Sequence, residues 1–242
     1  MKIKVQAVLG GLVLAAAMAG PAHATLLSSL LAGGSITAGD KLFDNWSVLA
    51  YTATDGRRFD AGNIDVTALN DGGMDPGTGL RFIVNNNELN VKGDDLYAFV
   101  DLMFGFRATV LTPGIGIKGV STSDFGAFVG SNDLNDGFND NGNFIREAVG
   151  TAAGLQDMGT TAVEFSILDS VTTSIITDST GFAPHGEVWL TKNILVWATE
   201  ATDDAGIFSF TQRFAQGAVP EPASWLLVAL ALAGLAVTPP RK

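Results

Sequence analysis

Residues 207–214, with the sequence IFSFTQRF, alternate between apolar and polar side chains near the end of the chain. Successive side chains of a β-strand point to opposite faces of its sheet, so this alternation predicts a strand with one buried face. Phe208, Phe210 and Phe214 share the face that we expect to be buried. Similar short patterns, separated by glycine, aspartate and asparagine, recur upstream, whereas helical periodicity is scarce.

About eleven short segments of this kind predict an all-β fold. They are residues 46–52, 64–69, 80–84, 96–104, 108–111, 115–120, 144–149, 162–168, 188–191, 194–199 and 207–214. Turn residues lie between the segments, and no repeat of fixed length is present. This pattern favours a single β-sandwich, jelly-roll-like in arrangement, over residues 25–217.

Residues 187–199 are predicted to form a β-hairpin whose turn lies near Lys192 and Asn193. The segment carries two tryptophans, Trp189 and Trp197. We interpret them as core residues or cross-strand partners, because aromatic side chains stabilise sheets in both positions. A ligand-binding platform is the alternative interpretation.

The first 24 residues have the features of a signal peptide. Lys2 and Lys4 give a positive start, and an apolar run follows at 5–18. Ala22 and Ala24 fit the A-x-A pattern that signal peptidase recognises, so we expect cleavage after Ala24. An uncleaved membrane anchor is the alternative, which the shortness of the apolar run disfavours.

The tail repeats this order in reverse. Pro220-Glu221-Pro222 precedes an apolar run at 225–237, and the chain ends at Arg241 and Lys242. A helix over 225–237 would span roughly 20 Å, against about 30 Å of hydrocarbon, which suits a transient anchor better than a permanent one. The two basic residues are expected to stop transfer and to stay on the cytoplasmic side of the inner membrane.

This tail, with its tripeptide, apolar helix and basic end behind an N-terminal signal peptide, resembles the PEP-CTERM sorting signal of Gram-negative bacteria. The resemblance covers residues 218–242, although the usual arginine cluster is reduced here to Arg241 and Lys242. It implies processing by an exosortase-type membrane peptidase during export, often in species that make extracellular polysaccharide. It implies no activity for the central domain.

Composition limits the classes of function. The chain has 14 basic and 25 acidic residues, and without the four basic and one acidic residue of the two ends the net charge is about −14. Such a surface repels nucleic acid and anionic lipid and attracts divalent cations. The chain has no cysteine, which excludes disulfides, thiol catalysis and zinc–thiolate sites.

Residues 131–143 form the densest group of oxygen ligands in the sequence. Calcium takes six to eight oxygens, and the candidates here are Asp133, Asn135, Asp136, Asn139 and Asp140. The spacing does not fit an EF-hand, and asparagine and aspartate also favour plain turns, which is the alternative interpretation. A second and poorer calcium candidate lies at 70–75.

Three further patterns are weak. Residues 114–119 match G-x-G-x-x-G, but alternation continues through them, so a strand is predicted and not a nucleotide site. Glu164 and Glu187 are the strongest carboxylate candidates for glycoside hydrolysis, although structural or solvated roles are favoured for both. His185, the one histidine after the predicted cleavage point, lies in a predicted turn, and its neighbours suggest no catalytic triad.

The sequence therefore predicts an exported cell-surface or extracellular-matrix protein, structural and without catalytic residues. The first alternative is a carbohydrate-binding module, with or without calcium, that engages exopolysaccharide. The second alternative is a polysaccharide hydrolase or lyase. Signal peptidase and an exosortase-type peptidase are the expected partners during export.

Overall fold

The structure is a computed structural model that describes residues 24–130 and 140–219. The predicted sorting helix at 225–237 and the signal peptide, apart from Ala24, lie outside the described residues. Within those residues, no helix is long and apolar enough to span a membrane.

Fourteen strands and two short helices make up the described chain. In chain order the strands are β1 (Thr25–Leu26), β2 (Ile36–Ala38), β3 (Lys41–Ala53), β4 (Ile64–Leu69), β5 (Gly79–Val84), β6 (Asn90–Lys92), β7 (Ala98–Val110), β8 (Ile115–Gly130), β9 (Asn141–Gly150), β10 (Gly159–Leu168), β11 (Val171–Ile175), β12 (Asp178–His185), β13 (Glu187–Ala198) and β14 (Asp204–Ala218). The α-helix α1 is Leu27–Leu31, and a 3₁₀ turn covers Ala61–Asn63.

The strands form two seven-stranded sheets with antiparallel pairing. The first has the order β1-β4-β5-β14-β8-β12, with β6 also paired to β14. The second has the order β11-β10-β9-β13-β7-β3-β2. The late strands are inserted between early ones, β14 between β5 and β8 and β13 between β7 and β9, which is the interleaved connectivity of Greek-key sandwiches. The predicted all-β sandwich is confirmed.

Aromatic side chains from both sheets fill the space between them. Phe82 and Phe210 stack at 4.5 Å between ring centroids, and Trp46 stacks on Phe106 at 4.4 Å. Burial of such rings is the main stabilising contribution that a cysteine-free sandwich has available.

Three sequence predictions about strands are wrong in detail. Residues 187–199 form no hairpin: β13 runs unbroken from Glu187 to Ala198, with Lys192 buried at its middle. The segments predicted at 96–104 and 108–111 merge into one strand, β7, which covers Ala98–Val110. Phe208 points outward because register shifts in β14 on both sides of Ser209 reverse the alternation there, while Phe210 and Phe214 are buried as predicted.

Candidate functional site

Strands β9 and β13 lie side by side in the second sheet and carry chemistry on both faces. Lys192 stands directly opposite Glu147, and Trp197 stands directly opposite Gly142. Because neighbouring positions alternate between faces, Glu147 and Lys192 point into the sandwich, while Trp197 lies on the outer face. Each face holds a candidate site.

The outer face holds a cleft of about 340 Å³ at one end of the sheet. We call it the aromatic cleft, and its lining residues are Tyr97, Asp140, Phe144, Leu168, Leu195, Trp197 and Thr199. The Trp197 ring meets the Phe144 ring edge to face, with centroids 6.2 Å apart. Tyr97 remains 47% exposed at the mouth, so part of its ring is free to contact a ligand.

Gly142 is required for this arrangement. A Cβ atom at Gly142 would lie 2.7 Å from two atoms of the Trp197 ring and 2.5 Å from Cβ of Ser166. Carbon atoms do not approach so closely, so any larger residue would displace the indole. The glycine allows Trp197 to lie across β9 and to form one wall of the aromatic cleft.

A second, acidic cleft of about 350 Å³ adjoins the aromatic cleft. Asp140 and Thr199 line both, and the acidic cleft is completed by Asp95, Leu96 and Glu200. Hydrogen-bonding groups therefore rim an apolar aromatic wall, which is the usual composition of a small-molecule site.

The inner face holds a sealed polar group, which we call the buried cluster: Thr122, Glu147, Lys192 and Gln212. All four side chains have zero exposure. Lys192 and Glu147 are opposite each other in the second sheet, and Gln212 and Thr122 are opposite each other in the first. The buried cluster thus consists of two cross-strand pairs that face each other across the core.

Hydrogen bonds connect the buried cluster completely. Lys192 Nζ donates to Glu147 Oε2, and it donates to Gln212 Oε1 at 2.5 Å. Gln212 Nε2 donates to Glu147 Oε1 at 3.0 Å, and Thr122 Oγ1 donates to Gln212 Oε1 at 3.3 Å. The Nζ atom also lies 5.4 Å from the centroid of the Phe210 ring.

Burial dominates the protonation of this pair. Removal from water raises the pKa of the Glu147 carboxyl and lowers the pKa of the Lys192 amine, although their mutual attraction opposes both changes. Both changes favour the state in which Lys192 is a neutral amine and Glu147 a carboxylic acid. A neutral amine has a free electron pair, and a carboxylic acid can donate a proton.

The predicted calcium ligands Asp133, Asn135, Asp136 and Asn139 lie outside the described residues. Asp140 lies at the junction of the two clefts, where its Oδ1 accepts a hydrogen bond from the backbone of Asp169 at 3.1 Å. Over 24–130 and 140–219, the structure contains no group of three or more histidine or acidic side chains placed to hold a metal. Calcium binding stays a prediction.

The poorer calcium candidate at 70–75 has structural contacts. Asp71 Oδ1 accepts a hydrogen bond from Arg213 at 2.7 Å, and Asn70 Oδ1 accepts one from the backbone of Gly39 at the same distance. Asp75 forms an ion pair with Lys118 at 3.4 Å. These contacts account for the acidic and amide side chains of the loop without a metal.

The remaining candidates are separated in the fold. Glu164 accepts a hydrogen bond from Ser166, whereas Glu187 pairs with Arg107 at 3.5 Å. His185 is the last residue of β12, with its ring edge to face against Phe182, so it lies in a strand and not in a turn. The strand predicted at 115–120 is confirmed, because the G-x-G-x-x-G residues enter β8 and no helix begins there.

The tryptophans of β13 both lie on its outer face. Trp189 stands opposite Arg107, whose guanidinium lies 5.7 Å from the ring centroid, so it is a cross-strand partner as predicted. Trp197 is buried at 7% exposure and packs across Gly142, as a core residue or cross-strand partner would, and it also lines the aromatic cleft. The sequence interpretation missed Lys192, although it lies in phase with the apolar residues at 188, 190, 194 and 196, and that phase is the signal for a buried position.

Comparison with known proteins adds two findings. The C-terminal residues 218–242 match the PEP-CTERM protein-sorting motif. No curated protein matches the chain.

A solved structure described as TmCBM61 in complex with beta-1,4-galactotriose is similar to the chain at 14% identity. The similarity covers 70% of this chain and 88% of that one, with a TM-score of 0.24. A likeness at that score says nothing about what this chain binds. The match at residues 218–242 identifies the tail of the chain as a PEP-CTERM sorting motif, which follows the β-sandwich. This motif implies an exported, sorted protein that is processed by an exosortase.

Proposed function

We propose that this is a non-catalytic protein of the cell surface or extracellular matrix, whose sandwich binds a neutral extracellular polysaccharide in the aromatic cleft. The sorting motif supports export, and the predicted signal peptide supplies the entry to that route. Signal peptidase would remove residues 1–24, and an exosortase-type peptidase would release the tail from its transient place in the inner membrane.

The aromatic cleft is the observation that carries the binding proposal. Sugar rings have apolar C–H faces that pack on aromatic rings, and hydroxyl groups that hydrogen-bond to polar rims. The partly exposed Phe144 and Tyr97 supply the accessible rings, the largely covered Trp197 forms the wall behind them, and Asp140 supplies a rim acceptor. The acidic surface favours an uncharged polysaccharide over an anionic one.

The absence of catalysis is part of the proposal. Glycoside hydrolysis uses two carboxyl groups on either side of the scissile bond. Among the residues that the structure describes, one carboxylate, Asp140, lines the aromatic cleft, while Asp95 and Glu200 line the adjoining acidic cleft. We therefore expect bound polysaccharide to be recovered intact, with no new reducing ends after prolonged incubation.

Affinity electrophoresis through gels that contain dextran, xylan, mannan or galactan tests the binding proposal. Tyr97→Ala should weaken retardation by at least about tenfold, a loss of about 1.4 kcal/mol in binding. Phe208→Ala is the matched control, because Phe208 is a similarly exposed aromatic (51% against 47%) on the other sheet. Equal loss in both variants, or no retardation of the unmodified protein by any of these glycans, would overturn polysaccharide binding.

The export proposal has a separate test. The intact mass of the protein recovered from its native host should show loss of residues 1–24 and processing near residue 220. A cytosolic protein with both ends intact would contradict it. Repeating the electrophoresis with calcium and with chelator tests whether the predicted ligands around Asp140 assist binding.

A further inference from the structure

The buried cluster lies where a sandwich normally has apolar side chains. Its members come from four strands, β8 and β14 in the first sheet and β9 and β13 in the second. Thr161 on β10 extends it, with its hydroxyl 3.2 Å from that of Thr122. Zero exposure of Lys192, Glu147 and Gln212 means that bulk water does not reach these groups.

Stability alone does not explain these residue types. Burying an amine and a carboxyl costs free energy, and apolar residues of similar volume commonly give equal or greater stability at such positions. The chain nevertheless places a lysine, a glutamate and a glutamine in mutual contact at the centre of its core. A combination of nucleophile, proton carrier and carbonyl in a dry site is also what amide chemistry requires.

The contacts assign a chemical role to each group. Lys192 Nζ lies 2.5 Å from Gln212 Oε1, so the amide carbon Cδ is only one bond further away. Glu147 contacts both the amine and the amide nitrogen of Gln212, which allows it to carry a proton from one to the other. Thr122 donates to Gln212 Oε1, the atom on which negative charge would develop.

We propose that Lys192 and Gln212 join through an amide bond between Nζ and Cδ, with release of ammonia, and that this cross-link ties the two sheets together through the core. The reaction belongs to folding and needs no added reagent. Lys192 is the nucleophile, Gln212 the acyl donor, Glu147 the proton carrier and Thr122 the donor to the oxyanion.

The atoms balance without a co-reactant. In the neutral form of the pair, the Nζ electron pair attacks Cδ, and the carbonyl π electrons move to Oε1. Glu147 gives its proton to the departing Nε2, the C–N bond breaks and ammonia leaves. The carboxylate of Glu147 then takes the surplus proton from Nζ, which restores the carboxylic acid beside the new secondary amide.

Such a bond would supply what the composition lacks. Exported β-sandwiches often join their two sheets by a disulfide, and this chain has no cysteine. Lys192 and Gln212 lie on β13 and β14, which belong to opposite sheets. The cross-link would therefore restrain both the separation of the sheets and the denatured chain outside the cell.

Peptide mapping of the full-length chain tests the proposal directly. After denaturation and trypsin digestion, trypsin should fail to cut after the acylated Lys192, so residues 147–213 should appear as one peptide. Mass spectrometry should find this peptide lighter by one ammonia than linear 147–213. Fragmentation should place an internal bridge between the side chains of Lys192 and Gln212.

Two variants assign the mechanism. Glu147→Gln retains the shape of the side chain but removes the proton carrier, so we expect the bridged peptide 147–213 to be lost or at least tenfold less abundant. Lys41→Met is the matched control: Lys41 is also fully buried, with Asp40 and Thr78 as partners, and its loss should leave the bridged peptide unchanged.

The peptide map of the unmodified protein is sufficient to overturn the proposal. The test therefore does not depend on whether a variant folds. Separate, unmodified peptides for Lys192 and Gln212 in well-folded protein would overturn it. A peptide 147–213 that is lighter by one water, with the bridge between Lys192 and Glu147, would also overturn it, because the acyl donor would then be the carboxyl group. An undiminished amount of the Lys192–Gln212 bridge in folded Glu147→Gln would remove the assigned role of Glu147.

Discussion

The two faces of β9 and β13 each depart, at a few positions, from the usual distribution of side chains in a sandwich. Their inner face holds a lysine and a glutamate, whereas their outer face holds Phe144 and Trp197. The inner groups are tolerated because each has hydrogen-bond partners within the buried cluster. Phe144 is partly exposed and leaves apolar surface for a ligand, whereas Trp197, which it contacts edge to face, is only 7% exposed. At these positions polar groups lie where water is excluded, and an aromatic ring lies where a ligand can reach it.

The largest difference between the two faces is expected when one member of the inner face is removed. Glu147→Ala should lower the free energy of unfolding by about 3 to 5 kcal/mol, because it opens a cavity in the core and leaves Lys192 Nζ and Gln212 Nε2 without their acceptor. Phe144→Ala, its counterpart on the outer face of the same strand, should cost about 1 kcal/mol through loss of its contact with Trp197. Guanidinium unfolding of both variants measures the difference, and similar losses would show that the faces do not differ as described.

Gly142→Ala sharpens the comparison on the outer face. The added methyl group must displace Trp197 or Ser166, so we expect a loss of about 1 to 3 kcal/mol. Near-ultraviolet circular dichroism should also change, because the indole moves. Gly181→Ala in β12 is the matched control: its Cβ would meet its nearest neighbour at 3.8 Å, and its cost should stay within about 0.5 kcal/mol. An unchanged indole signal in Gly142→Ala would contradict the packing of Trp197 over Gly142.

The sequence predicts the sheets better than it predicts these faces. The alternation of apolar and polar residues predicted β4 with both of its bounds, at 64–69, because a strand with one buried face has a repeat of two residues. It failed at Lys192, since a charged residue beside an asparagine has the composition of a turn. It failed at Phe208 for another reason: a register shift reverses the face without changing any residue type.

The aromatic cleft and the buried cluster depend on strand pairing, which local sequence does not specify. Glu147 and Lys192 are opposite each other only because β13 is inserted beside β9. Gln212 joins them from the facing sheet. Each of these residues is unremarkable in its own segment, so no pattern within a window of ordinary length could have grouped them.

The smallest expected effect concerns two carboxyl groups near the same turn. Glu147 in β9 has a raised pKa because of burial, whereas Asp157, in the connection from β9 to β10, has a lowered pKa because Thr151 donates to it from both its hydroxyl and its backbone. The pKa of Asp157 in the folded protein lies below its ordinary value of 3.8. Its contribution to stability is therefore present above that value and is lost as the pH falls through the folded pKa.

Asp157→Asn should accordingly be slightly less stable than the unmodified protein near neutrality, and the two should converge as the pH falls through the acid range. Urea unfolding at a series of pH values measures the convergence, and a carboxyl-carbon NMR titration gives the pKa of Asp157 directly. Thr151→Val removes the hydroxyl donor and should move that pKa back towards 3.8. A stability difference that stays constant at all pH values would mean that the hydrogen bonds to Asp157 do not depend on its charge.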